Sequence, residues 1–339
     1  MRLIKTVDAV GQVLCHDMTQ IIPGEYKDAR FRKGHIVTAE DIPVLLSMGK
    51  ENLYIFELNE GKLHENDAAE RMCALCLGEG MRRGEVKEGK IEIFAGRDGL
   101  FRMDREKLNA VNAIDELMIA TRHGDTAVRA GDKLAGTRVI PLVIDEAKLT
   151  EAERIVGGKP ILELLPYRLR CAGVITTGSE VYHGRIEDKF TPVLERKLAE
   201  FGIAVSRHLV VDDGLENIRA AIDTLRATDV DMILCTGGMS VDPDDNTPGA
   251  IKASGARIVT YGAPVLPGAM FLMSYLDDGR PLMGLPGCVM YAKATIFDLA
   301  LPRIAAGVML TRADFTTLGE GGLCLGCQPC TYPNCGFGK

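Results

Sequence analysis

Nowhere in the 339 residues does an apolar run reach the length that crosses a membrane, and the opening MRLIKTVDAVGQVLCHDM has no apolar stretch of signal-peptide length. Those absences set a cytoplasmic expectation. A basic surplus is missing as well: 40 Lys and Arg stand against 47 Asp and Glu, a formal charge of −7, so there is no electrostatic footprint for nucleic acid. An anionic ligand has to be held locally, by backbone amides and a cation, against an acidic average. No internal repeat and no low-complexity linker interrupts the chain. The histidines, His16, His35, His64, His123, His183 and His208, show no metal-ligand spacing, and His183 reads as a solvated loop residue. What is present is ordinary for a globular protein, 46% hydrophobic and 26% charged residues, and the length implies two or three domains.

Cysteine is the exception. Ten occur, where disulfides rarely persist in the expected compartment. Cys15, Cys73, Cys76, Cys171, Cys235 and Cys288 are scattered, whereas Cys324, Cys327, Cys330 and Cys335 crowd the tail GGLCLGCQPCTYPNCGFGK. That tail is too short and glycine-rich for its own core, and four thiolates at these spacings suit a tetrahedral Zn²⁺ or an Fe–S cluster, with redox thiols as the alternative. Cys73 and Cys76 lie at i and i+3 of a helical stretch and read as core residues.

Residues 1–62 read as an N-terminal α+β segment. Its helix opens at Glu40 and Asp41, carries Ile42, Leu45, Leu46 and Met48, and stops at Gly49 before the strand NLYIFEL. Residues 63–168 read as a small β-rich or α+β domain, with a helix over 65–77, strands at KIEIFAG, GLFRMD, ELMIATR and TRVIPLVID, and a helix from Arg105 to Glu116. From about residue 169 to 310 strands and helices alternate. CAGVITT, AVSRHLVV and VDMILCT read as strands, Asp188 to Phe201 and the stretch opened by an Asp213–Glu216 capping box as helices. FLMSYLDDGRPLMGL reads as a hairpin turning at Asp278-Gly279, and Val289 to Ala305 as the last helix. This is the pattern of an α/β doubly wound, mostly parallel sheet, whose ligands sit beyond the carboxyl ends of the strands. Residues 311–339 form the Cys-rich tail.

Three predicted strand ends run into loops of one kind: Thr177-Gly178-Ser179-Glu180, then Gly237-Gly238-Met239-Ser240 continuing through Asp242, Asp244 and Asp245 to Thr247-Pro248, and finally Pro286-Gly287-Cys288. Glycine at a strand end lets backbone N–H groups close on a phosphate, a following helix adds its dipole, and the hydroxyls of Thr177, Ser179, Ser240 and Thr247 can donate further. Carboxylates beside such a loop suit a divalent cation, since Mg²⁺ takes one or two carboxylates together with phosphate oxygens. Asp188 and Asp245 are the candidate metal organisers; the structural alternative makes Asp188 an N-cap and Asp245 a turn residue.

The strings VITTGSEV, RIEDKFTPVL, ILCTGGMSVDPDDNTPGAI, PVLPGAM and LMGLPGCVMYA resemble, in order and spacing, the molybdopterin-binding domain shared by the molybdopterin molybdenumtransferase and molybdopterin adenylyltransferase families. The resemblance covers about residues 170–307; the preceding residues look like a divergent counterpart of the molybdenumtransferase's additional domains. It implies that Gly237, Gly238, Ser240 and Asp245 border the pterin phosphate and pyrophosphate, that Asp188 lies in the same cleft, and that Pro286 and Gly287 shape its rim. Ser179 stands where the molybdenumtransferase has Asp, and the Asp-Asn-Thr-Pro end of the second loop is closer to the adenylyltransferase.

The expectation that follows is an enzyme of molybdenum cofactor biosynthesis: a transferase that binds molybdopterin or its adenylated form and inserts molybdate with Mg²⁺ and release of AMP. Asp188 and Asp245 are its catalytic residues. Thr177, Gly178, Ser179, Glu180, Gly237, Gly238, Met239, Ser240, Asp242, Thr247, Pro248, Pro286 and Gly287 are its ligand-binding residues, and Asp188, Asp245, Cys324, Cys327, Cys330 and Cys335 its metal ligands. A homodimer is expected, and the tail could dock a molybdoenzyme or a sulfur-transfer partner. The alternative is a non-catalytic cofactor carrier or sensor using the cysteine tail. A third reading, a relative of the competence-damage proteins, is set back because those carry this domain at the N-terminus.

Overall fold

The computed structural model describes residues 2–22, 26–55, 61–240, 242 and 245–339. The chain divides into two compact units, the first made of Met1–Arg97, Arg102–Arg122 and Arg129–Leu164, the second of Asp98–Phe101, His123–Val128 and Leu165–Lys339.

In the first unit, an antiparallel pair of strands Arg2–Lys5 and Asn52–Ile55, a hairpin Met18–Ile22 and Tyr26–Phe31, and a helix Asp41–Ser47 enclose Leu14, Met18, Val37, Leu45 and Leu53. The predicted helix and its stop at Gly49 are there; the strand NLYIFEL holds for Asn52–Ile55, and its last three residues lie outside the described ones. Further on, Met81–Arg83, Lys90–Ala95, Lys133–Val139 and Leu117–Thr121 form an antiparallel sheet. The helix Glu65–Cys76 packs on it, burying Met72, Cys73 and Cys76, so both cysteines are core. The helix expected to reach Glu116 ends at Asn112, because Asn112 turns its amide onto the N–H and C=O of Ile119 and fixes the return of the chain.

The second unit is built on strands β1 (Cys171–Thr177), β2 (Ala204–Val211), β3 (Met232–Thr236), β4 (Arg257–Tyr261), β5 (Leu272–Tyr275) and β6 (Pro281–Leu285), in the order β2-β1-β3-β6-β5-β4. The first four in that order are parallel, and β5 alone runs antiparallel to its neighbours, through the predicted hairpin. The helices are α1 (Ser179–Tyr182), α2 (Thr191–Ala199), α3 (Leu215–Arg226), α4 (Thr247–Ala253), α5 (Ile296–Ala305) and α6 (Arg312–Thr316). Strand alternation sends Ala172, Val174 and Thr176 of β1 to one face and Ile175 and Thr177 to the other. On the first face lie Leu194 and Leu198 of α2, Phe297 and Ile304 of α5 and Phe315 of α6; on the second lie Ile218, Ile222 and Leu225 of α3 with Ala250 and Ile251 of α4. Each of the larger apolar side chains contributes about 1.5–3 kcal/mol by burial. A doubly wound sheet is therefore present as expected.

Three element boundaries differ from expectation, each for a local reason. The helix expected from Asp188 starts at Thr191, because the Asp188 carboxylate accepts from the N–H of Phe190 and Thr191 and so caps the helix from outside. The Asp213–Glu216 capping box does not form; Gly214 is the N-cap of α3, and Asp213 turns its carboxylate elsewhere. The last helix divides into a 3₁₀ turn Gly287–Met290 and α5, which is opened by a true capping box between Thr295 and Asp298.

Candidate functional site

In the order β2-β1-β3-β6 the chain reverses direction of travel across the sheet between β1 and β3, and the loops after these strands diverge at their carboxyl ends. That is where an open α/β sheet leaves a crevice for ligand. The loops after β1, β2, β3 and β6 share this edge.

The loop after β3 is the most tightly specified. Gly237 and Gly238 have φ of +86° and +56°, and a Cβ on Gly237 would lie 2.4 Å from the Thr177 carbonyl oxygen. The Thr247 hydroxyl donates to the Gly237 carbonyl at 2.9 Å, the Thr247 N–H to the Gly238 carbonyl at 3.2 Å, and the Tyr261 hydroxyl to the Met239 carbonyl at 3.1 Å. Three successive carbonyls are thus drawn off to anchors. In a planar trans peptide the next residue's N–H points oppositely, so the N–H groups of Gly238, Met239 and Ser240 face away from those anchors. Among the described residues nothing accepts from them. Consecutive unpaired N–H groups of this kind suit an anion. Beside them, the Thr177 hydroxyl is buried with no hydrogen-bond partner among the described residues.

The first loop is arranged differently. Ser179 donates its N–H to Asp213 at 2.8 Å and its hydroxyl to Asp212, and the Asn246 side chain donates to the Asp213 carbonyl at 3.0 Å. Ser179's two donors are therefore given to carboxylates. The Ser179 hydroxyl and the Asp213 N–H hold Asp212 below the usual carboxylate range. Glu180 is exposed, and the exposed His183 bonds the Ser179 carbonyl at 2.8 Å.

Asp188 sits on the face opposite Thr177. One of its oxygens takes the N–H groups of Phe190 and Thr191; the other takes the hydroxyls of Thr176 at 3.0 Å and Thr191 at 2.6 Å. Both hydroxyls have spent their proton on Asp188, so His208 Nε2, 2.9 Å from the Thr176 oxygen and 3.2 Å from that of Thr191, stands as a donor N–H. Burial opposes ionisation of Asp188, yet the hydrogen bonds of Thr191, Phe190 and Thr176 outweigh it and hold the carboxyl below the usual range. A carboxylate with four donors has no lone pair left for a metal. Asp245 is less engaged: its carboxylate takes the Asp242 N–H at 3.3 Å, and its charge is felt by Tyr261. Of the two carboxylates expected to organise magnesium, Asp245 has the fewer hydrogen-bond partners among the described residues.

The remaining expected residues divide by side chain and backbone. Met239 turns its side chain into the core, where its sulfur occupies the space above Gly284; a Cβ there would be 2.5 Å from it. Thr247 and Pro286 are buried, Pro248 is half-buried, and Asp242, Ser240 and Gly287 are exposed; Asp244 lies outside the described residues. The helices expected to lend dipoles are short, four residues in α1 and seven in α4. Sequence reasoning missed Asp212, Asp213, His208 and Tyr261. The first two were available as residues following a predicted strand; the others come together only through the register of the sheet.

The tail lies along the second unit. Gly322 and Cys324 bond the backbone of Leu266, Tyr332 donates to the Asp298 carbonyl at 3.0 Å, and Phe337 is buried. Cys324, Cys330 and Cys335 are half-buried and Cys327 is exposed, all as free thiols. Among the described residues no three His, Cys, Asp or Glu side chains gather as a metal site, so the four cysteines as placed do not fit Zn²⁺ or a cluster. Burial pushes the Cys235 thiol up to about 12, as a structural core cysteine.

Residues 173–306 match the family model described as "Probable molybdopterin binding domain", and this α/β domain is a member of that superfamily. Residues 3–57 match a domain of unknown function, DUF8806. Among curated proteins the chain is similar to a CinA-like protein of Mycobacterium sp. (strain JLS), 36% identical over 76 residues, 22% of this chain and 18% of the relative. It is also similar to a CinA-like protein of Pseudothermotoga lettingae, 36% identical over 86 residues, 25% of this chain and 21% of the relative. The chain thus spans about a fifth of the length of these relatives. Among solved structures it is similar to the protein CinA of Thermoplasma acidophilum, with 21% identity, 40% and 98% of the two chains covered and a TM-score of 0.33. The tungsten cofactor synthesizing protein MoaB of Pyrococcus furiosus compares at 19% identity, 40% and 92% coverage and a TM-score of 0.33. No helix among the described residues is long and apolar enough to cross a membrane.

Proposed function

We propose that the crevice between β1 and β3 binds molybdopterin through its phosphate, and that the chain serves molybdenum cofactor biosynthesis by taking the adenylated pterin and inserting molybdate with release of AMP. The observation that carries this reading is the row of N–H groups at Gly238, Met239 and Ser240 with no acceptor among the described residues, in a domain of the molybdopterin-binding superfamily. The chain's own contribution is positional. The Gly-Gly loop receives the phosphate, Thr177 and Ser240 offer hydroxyls beside it, and the first loop, tied through Ser179 to Asp212 and Asp213 after β2, bounds the other side. Asp245 would hold magnesium; Asp188 is assigned to the architecture of the edge instead of the metal.

The test is AMP release from adenylated molybdopterin, with and without molybdate, by the full chain and by Asp245→Asn. Molybdate-dependent release that falls at least about tenfold in the variant supports insertion and puts Asp245 at the site, about 1.4 kcal/mol of transition-state stabilisation. Pterin binding without release replaces the transferase with a carrier. Release indifferent to molybdate points to nucleotide-pyrophosphate hydrolysis in place of insertion.

A further inference from the structure

The Gly-Gly loop has an anchor that comes from far across the sheet. Gly237 and Gly238 are tied to Thr247, close by in the same segment. Met239 is tied to Tyr261, the last residue of β4, at the opposite edge of the sheet from β2. Because β4 runs in the same sense as β6, its carboxyl end lies along the edge that carries the loops. Met239 is gripped at both ends: its side chain fills the hollow over Gly284, and its carbonyl takes the Tyr261 hydroxyl at 3.1 Å.

From this double hold we infer that Tyr261 is a positioning residue for phosphate recognition, aiming the Ser240 N–H by fixing the Met239 carbonyl. The two groups belong to one planar peptide unit, so setting the direction of the carbonyl sets that of the N–H. Tyr261 does not touch the ligand in this role; it removes the freedom of the peptide that does. Its hydroxyl remains a donor through neutral pH, since burial and then the charge of Asp245 push its pKa above the ordinary tyrosine value. The inference rests on the crevice being a phosphate site for the pterin.

The experiment measures binding of anaerobically prepared molybdopterin, before and after enzymatic removal of its phosphate, to the full chain and to Tyr261→Phe. The wild-type chain should prefer the phosphorylated ligand. The variant keeps the ring and loses one hydrogen bond, so its affinity for the phosphorylated ligand should fall about fivefold. Affinity for the dephosphorylated ligand should stay the same, and any fall in melting temperature should be small. A variant that retains the full preference, or that weakens both ligands equally, overturns the role of Tyr261 while leaving the crevice as the binding site. A wild-type chain that binds neither ligand, or binds both alike, overturns the phosphate reading and the positioning role with it.

Discussion

At the scale of the residue, the buried hydroxyl of Thr177 is the most informative atom at the site. A hydroxyl removed from water without a partner costs free energy, of the order of 1–3 kcal/mol, unless something present in the working state accepts or donates to it. Thr177→Val keeps the shape and removes the polar atom. In the absence of ligand it should melt at the wild-type temperature or above. If the hydroxyl meets the pterin phosphate or a water held by it, affinity for molybdopterin should fall, while the melting temperature does not. A variant that melts several degrees lower would show that the hydroxyl has a structural partner after all. The site was partly legible at this scale. Gly237 and Gly238 could be picked out in sequence because only glycine tolerates a left-handed turn pressed against a neighbouring carbonyl. Thr177 could be named as a donor. That the Thr177 hydroxyl would be buried, while Ser179's would go to Asp212, depends on the side of β1 that Thr177 occupies and on the pairing that brings the end of β2 beside Ser179, neither of which sequence displays.

At the scale of the element, Asp188 shows how one carboxylate can organise a helix start, a strand and a neighbouring strand together. It caps α2 through two N–H groups, takes the Thr176 hydroxyl of β1, and through both threonines reaches His208 of β2. Asp188→Ala removes a cap and leaves buried hydroxyls short of an acceptor, and should destabilise the second unit by roughly 2–3 kcal/mol. The pH dependence has a definite sign. Its pKa is depressed in the folded state, so its contribution is fully present above the unfolded aspartate value of about 3.9 and is lost as pH falls through the folded value. Melting of wild type and variant should therefore differ most above about pH 5 and converge in stronger acid; a constant gap would sink this account. Periodicity had located α2, α3, the hairpin and the first three strands, because apolar runs and helical stripes record which face is buried. The starts of α2, α3 and α5 were misplaced because Asp188, Asp213 and Thr295 are all chemically able to cap. Which of them does so is decided by where the neighbouring strand ends lie, as Asp213 shows by bonding Ser179 in place of α3.

At the scale of the whole molecule, Glu65 of the first unit and Asp188 of the second respond to pH with opposite sign. In the first unit Glu65, the opening residue of the helix Glu65–Cys76, is buried against the turn at Gly89. Burial pushes its carboxyl up to about 7; Arg138 and Lys33 oppose the shift, and Glu88 and Asp17 add to it. A carboxyl whose folded pKa lies above its unfolded value binds its proton more tightly in the folded state. The contribution of Glu65 to the stability of the first unit should then be fully present near and below pH 4.5, decline as pH rises toward about 7, and level off above that. A shift of this size corresponds to about 3 kcal/mol across the window. Asp188 acts in the second unit and at lower pH, so the two effects are best followed segment by segment. The chain contains no tryptophan, and hydrogen exchange resolved by segment is the suitable measurement. Between pH 5 and pH 8, after correction for intrinsic exchange, the helix Glu65–Cys76 should lose protection while β1 and β3 keep theirs. Glu65→Gln, which removes the charge and keeps the shape, should abolish the loss and leave the helix as protected at pH 8 as the wild type is at pH 5. Protection in the wild type that is the same at both pH values would mean that Glu65 reaches water or a partner when ionised, and that the burial seen here is not what sets its titration.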